Sequence, residues 1–84
     1  MQNEIDIVKG IHPGYILDRE LKKRKLSIRK FALSINEHYQ TIWSITKGLR
    51  NMNLPLSLKI EQALNMPEGY LMILQIYVVM LLIY

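Results

Sequence analysis

Apolar positions along the chain fall into five blocks with helical spacing, separated by short stretches rich in Gly, Asn, Pro and Ser. In the first, Ile16, Leu17 and Leu21 follow Pro13. The missing N–H of a proline costs nothing in a first helical turn, so a helix is predicted from Pro13 to about Arg24. The second block places Ile28, Phe31, Ala32 and Ile35 at i, i+3, i+4 and i+7 behind Ser27, a suitable N-cap. A turn at Ile35, Asn36 and Glu37 leads to a third helix over about residues 39–47. Ile42, Ile45 and the following Leu49 face inward there, and Gly48 ends it. Asn53 then caps a fourth helix, with Pro55 in its first turn and Leu56, Ile60, Ala63 and Leu64 as its core stripe. Asn65 is expected in a left-handed conformation after it, and Pro67 is expected to open a fifth helix. Residues 1–11 show only weak alternation (Ile5, Ile7, Val8) and read as an arm or a short strand. The pattern predicts an all-α orthogonal bundle of five short helices in one domain. No internal repeat or low-complexity linker interrupts it.

The fifth block departs from the rest. Residues 70–84 carry no charge, and their only non-aromatic polar side chain is Gln75. A helix that is apolar all round must be buried, yet fifteen residues fall short of the ~20 needed to span a bilayer. Three readings compete: a dimer interface built on Leu71, Leu74, Val78 and Leu81, an altered and aggregation-prone tail, or membrane association. The first is preferred because so short a chain gains stability by pairing.

Residues 26–53 read as a helix-turn-helix. Ala32 is small where two helices must cross closely, Asn36 tolerates positive φ at the turn, and Ile42 and Ile45 pin the second helix to the first. The polar face left over supplies candidates for base readout: Tyr39, Gln40, Thr41, Trp43, Ser44 and Lys47. Gln40 can pair bidentately with adenine, Thr41 or Trp43 can touch a thymine methyl, and Lys47 suits phosphate or guanine. Trp43 sits one position, about 100°, off the inward stripe, which leaves a core aromatic as its alternative reading. Ser27, Arg29 and Lys30 at a helix start are candidates for phosphate contact. So are Arg50, Asn51 and Asn53 in the loop that follows the third helix. The basic run at residues 22–25 is read as a solvated helix end, with a phosphate contact as its alternative.

The His-Pro-Gly opening at residues 12–14, the following Ile16, Leu17 and Leu21, and the segment LKIEQALNMPEGYLMILQ resemble the HigA-type antitoxins. These belong to the lambda-repressor-like (XRE) helix-turn-helix family. The resemblance covers roughly residues 11–77, and it departs from the family at Asn36, at His38 and Tyr39, and after Tyr77. It implies a five-helix lambda-repressor-like fold, with the helix-turn-helix DNA-binding domain over 12–66 and the C-terminal apolar helix, 67–84, as a dimerisation element. It further implies a homodimer on a double-stranded DNA operator that represses its own operon. A small RelE-like (HigB-type) ribonuclease toxin would be held inactive by direct contact. The alternatives are a stand-alone repressor and a protein-interaction remnant without DNA readout.

Charge and composition narrow the picture further. The net charge is +4, but ten of the eleven basic residues and five of the seven acids lie in residues 1–50. That half carries +5 and the remainder −1, as suits a module whose first part faces a polyanion. With no cysteine, neither a disulfide nor a thiolate metal site is available. His12 and His38 have no second ligand at metal spacing. No nucleophile–base set, phosphate loop or paired carboxylates stand out, so neither an enzyme nor a cofactor is expected. The N-terminus lacks a secretory pattern, and a cytoplasmic bacterial protein is the expectation.

Overall fold

Three adjacent residues start the first helix, α1 (Pro13–Lys23), each for a different reason. His12 Nδ1 accepts the Gly14 N–H at 2.9 Å and so caps the helix with its ring. Pro13 fills the position where an N–H has no partner. Gly14 lies where α1 crosses a later helix, and any Cβ there would run into the Ile45 carbonyl. Because Nδ1 accepts, Nε2 carries the ring proton and donates to Asn51 Oδ1 at 3.0 Å.

The computed structural model describes residues 12–83, with side-chain surroundings as far as Leu81. The expected arm at 1–11 and the final Tyr84 lie outside those residues. After α1 come α2 (Ile28–Ser34), α3 (Tyr39–Thr46), α4 (Leu54–Leu64) and α5 (Tyr70–Ile83), with no strand among the described residues. Helix α1 packs on α3 and α5, α2 on α3, and α4 on α5.

Helices α1 to α4 stop in the same way. Lys25, Asn36, Gly48 and Asn65 each take a left-handed φ, between 54° and 73°. Each sits in a paired set of 5→2 and 6→1 backbone bonds. At the end of α3, for example, Gly48 N–H reaches Ile45 O at 3.0 Å and Leu49 N–H reaches Ser44 O at 2.9 Å. Side chains cap the starts: Ser27 Oγ accepts Lys30 N–H, and Asn53 Oδ1 accepts Leu56 N–H.

Leu17, Leu21, Phe31, Ile42, Ile45 and Ile60 form the centre of the core, joined by Ile16, Ala32, Met52 and Leu64. Several expectations are corrected here. Leu49 is 73% exposed, because the reversal at Gly48 turns the chain off the helical stripe, and Met52 takes the core place instead. Ala63 is exposed, since the buried face of α4 runs through Leu56, Ser57, Ile60, Glu61 and Leu64. Pro67 does not open α5: Gly69 has φ +88°, which a right-handed helix cannot include, so the helix begins after it.

The expected interface on α5 also changes. Leu71 and Leu74 are buried in this chain's own core and present nothing to a second copy. Val78 is half-buried and Leu81 exposed. The outward apolar positions include Ile73, Ile76 and Met80, spaced i, i+3 and i+7. Among the described residues no helix is long and apolar enough to cross a membrane.

Two buried polar side chains hold α5 to the body. Glu61 is 1% exposed, and its two carboxylate oxygens accept Gly69 N–H at 2.9 Å and Leu71 N–H at 2.8 Å. A side chain from α4 thereby caps the start of α5, where the helix dipole favours a negative group. Gln75 accepts from the Met52 N–H and donates to the Met52 carbonyl.

Candidate nucleic-acid interface

Helix α3 turns Ile42, Ile45 and Thr46 inward, so Gln40, Trp43, Ser44 and Lys47 share the opposite side. Gln40 and Lys47 are exposed, while Trp43 and Ser44 are half-buried. Tyr39 and Thr41 flank this strip on either edge and are also half-buried. The six candidates for base readout therefore divide into four that face outward and two that border them.

Each flank brings a readout candidate against a phosphate candidate. The Arg29 guanidinium lies over the Tyr39 ring, 4.6 Å from its centroid, so Tyr39 serves as a platform that orients Arg29. On the other side, Thr41 shares a shallow groove with His38, Arg50, Asn53 and Lys59. Glu37 also lines the groove and pairs with Lys59 at 3.4 Å. Lys47 Nζ stands 5.9 Å from the ring centroid of Trp43, one helical turn before it.

The uncharged phosphate candidates spend their oxygens on the fold. Ser27 Oγ caps α2, Asn53 Oδ1 caps α4, and Asn51 Oδ1 accepts from His12. What Asn51 and Asn53 have for a ligand is the donor side of each amide.

Some cations among the described residues are paired within the fold, while others, Arg19 and Lys25 included, are exposed with no carboxylate partner among those residues. At the end of α1, Lys22 pairs with Asp18 at 2.9 Å, Lys23 with Glu20 at 3.5 Å, and Arg24 with Glu20 at 3.6 Å. Arg24 Nη2 also donates to the Leu64 carbonyl at 2.6 Å, tying α1 to the end of α4. Lys22, Lys23 and Arg24 thus serve the fold with their side chains, and Lys25 serves it through its left-handed backbone. Around α3 the situation is reversed. Among the described residues no carboxylate pairs with Arg29, Lys30, Lys47 or Arg50, all four of which are exposed. Arg29 on the Tyr39 flank, Arg50 on the Thr41 flank and Lys47 at the end of α3 give its polar face a positive rim suited to an anionic partner.

Sequence reasoning missed the roles of His12, Glu61 and Gln75. For the last two a signal existed: Glu61 falls in the inward register of α4, and Gln75 is isolated in an apolar helix. Buried polar groups need partners, so both positions advertised a hydrogen bond without saying to what. Comparison of the chain with protein-family models, with curated proteins and with solved structures finds no match.

Proposed function

We propose that the chain is a sequence-specific DNA-binding protein of the lambda-repressor-like helix-turn-helix type, with α3 as its reading helix. One observation carries this reading: Arg29, Lys47 and Arg50, which pair with no carboxylate among the described residues, border the outward polar face of α3. Polar side chains at the centre suit base edges, and cations at the rim suit phosphates. Asn36 at φ 56° between α2 and α3 supports the same reading, since it supplies the tight turn such a motif needs. The resemblance of residues 11–77 to HigA-type antitoxins extends the proposal to autoregulation and to a RelE-like toxin partner.

Two substitutions divide the roles. Gln40→Ala is expected to weaken binding to the DNA upstream of its own gene by about 1–3 kcal/mol and to leave random duplex nearly unaffected. Arg29→Ala is expected to weaken both and to lower the slope of log K against log salt by about one. Fluorescence anisotropy titration reads both. Equal losses on the two duplexes for Gln40→Ala would remove α3 from the reading role.

A dimer belongs to the proposal, with two copies of α3 entering successive major grooves about 34–36 Å apart. Its contact runs through Ile73, Ile76 and Met80, whose 3–4 spacing is that of a helix–helix seam. Ile76→Glu is accordingly expected to convert dimer to monomer in sedimentation with unchanged helicity. A dimer that survives the substitution would place the contact elsewhere.

A further inference from the structure

The loop between α3 and α4 runs from Leu49 to Asn53 and carries three of the phosphate candidates, Arg50, Asn51 and Asn53. Nothing in its own sequence makes it rigid. Its ends are set by the Gly48 reversal and the Asn53 cap, and His12 holds Asn51 from one side. Between Asn51 and the Asn53 cap, Met52 is held from α5. Gln75 Oε1 accepts the Met52 N–H at 2.7 Å, and Gln75 Nε2 donates to the Met52 carbonyl at 2.7 Å. Both are buried bonds between residues 23 positions apart. One amide side chain therefore satisfies both backbone groups of Met52, next to the end of the loop, as a neighbouring strand would.

The cost of this arrangement argues for its use. An apolar residue would bury more readily at position 75 of a helix otherwise made of Leu, Ile, Val, Met and Tyr. A buried amide is tolerated there because every polar atom it brings in is matched. With the amide removed, Met52 N–H and C=O would face an apolar core, and the loop would shift until water reached them.

Resting on the DNA-binding reading above, we propose that Gln75 is a positioning residue for nucleic-acid contact. Through Met52 it holds Arg50 where a phosphate is met, although α5 supplies none of the proposed contacts itself. Affinity for DNA is thereby set partly by a helix on the far side of the loop.

The test is a double-mutant cycle between Gln75→Met and Arg50→Ala, read by anisotropy with a labelled duplex of the upstream DNA at several salt concentrations. Amide spectra of residues 50–53 are recorded alongside. Gln75→Met is expected to shift those amides, weaken binding at least tenfold, and lower the salt slope by about one, the loss of one phosphate contact. In the Arg50→Ala background it should change affinity less than twofold and the slope not at all. Leu64→Ala, a core truncation remote from the loop, lowers the melting temperature without that loss of affinity and separates positioning from general destabilisation. Should Gln75→Met not fold, Gln75→Glu retains the shape and the acceptor for Met52 N–H, and an intermediate loss of affinity is expected. Shifted amides with wild-type affinity and slope would overturn the proposal, as would losses that simply add to those of Arg50→Ala. Failure of the unmodified chain to bind the duplex would instead overturn the DNA-binding reading, and this proposal with it.

Discussion

Gly14→Ala is expected to cost about 3 kcal/mol or more in stability, at the upper end for a single added carbon. A Cβ at this position would overlap the Ile45 carbonyl oxygen and come within 2.6 Å of its carbon and 3.0 Å of His12 Nδ1. The atoms met first are backbone, in the last turn of α3, and cannot rotate away as a side chain would. Relief requires α1 and α3 to move apart, and they form one of the main helix contacts of the domain. The same methyl group disturbs the ring that caps α1. Thermal unfolding followed by circular dichroism checks this. With about 4–8 °C lost per kcal/mol in a domain of this size, a fall of roughly 12–24 °C is expected. A change below about 4 °C would mean the two helices approach less closely than described. Gly48→Ala is the milder comparison, because its nearest neighbour is the end of the Tyr15 side chain, which can turn aside, although φ +73° adds strain.

The second large effect is expected at Glu61. Glu61→Ala strands the N–H groups of Gly69 and Leu71, each worth about 1–3 kcal/mol when buried without a partner, and leaves a cavity beneath α5. A loss of roughly 3–5 kcal/mol follows, a large part of the stability of so small a domain. Because these bonds cap α5, the helix should loosen before the remainder unfolds. Hydrogen exchange at residues 70–77 is therefore expected to accelerate more than exchange in α1 and α3. Glu61→Gln keeps one acceptor and turns an NH2 group toward the other N–H, so its loss should fall between wild type and Glu61→Ala. Uniform acceleration across all helices would show that α5 is not held separately by this side chain.

Helix positions were legible from the chain because capping and termination are local chemistry. Ser27, Asn53, Asn36 and Asn65 act within three or four residues of where they stand, and apolar spacing alone identified most of the core. What escaped depends on long-range contacts. Gly14 matters because of Ile45, Gln75 because of Met52, and Glu61 because of a turn eight residues on. Periodicity also failed where the backbone changes direction. Leu49 continues the stripe of α3 in sequence but not in space, and Gly69 delays α5 past Pro67. For α5, apolarity implied burial without naming the surface. Leu71 and Leu74 meet this chain's own helices, and the outward row of Ile73, Ile76 and Met80 was not singled out.

The candidate interface was legible as a set of residues but not as an arrangement. Charge counting could not separate Lys22 and Lys23, which pair with acids on their own helix, from Lys47 and Arg50, which pair with none among the described residues. Nor could spacing foresee that Arg29 stacks on Tyr39, joining two residues assigned separate roles. Arg29, Lys47 and Arg50 stand beside one polar helix face with no carboxylate partner among the described residues, and the DNA-binding reading rests on that.

That reading is tested most directly by anisotropy titration of the purified chain against its own upstream DNA and against a scrambled duplex of equal length, each at two salt concentrations. The account predicts a preference for the upstream DNA of about 10³-fold or more, with both affinities falling as salt rises. Equal affinity for the two duplexes, or no affinity for either, would contradict it.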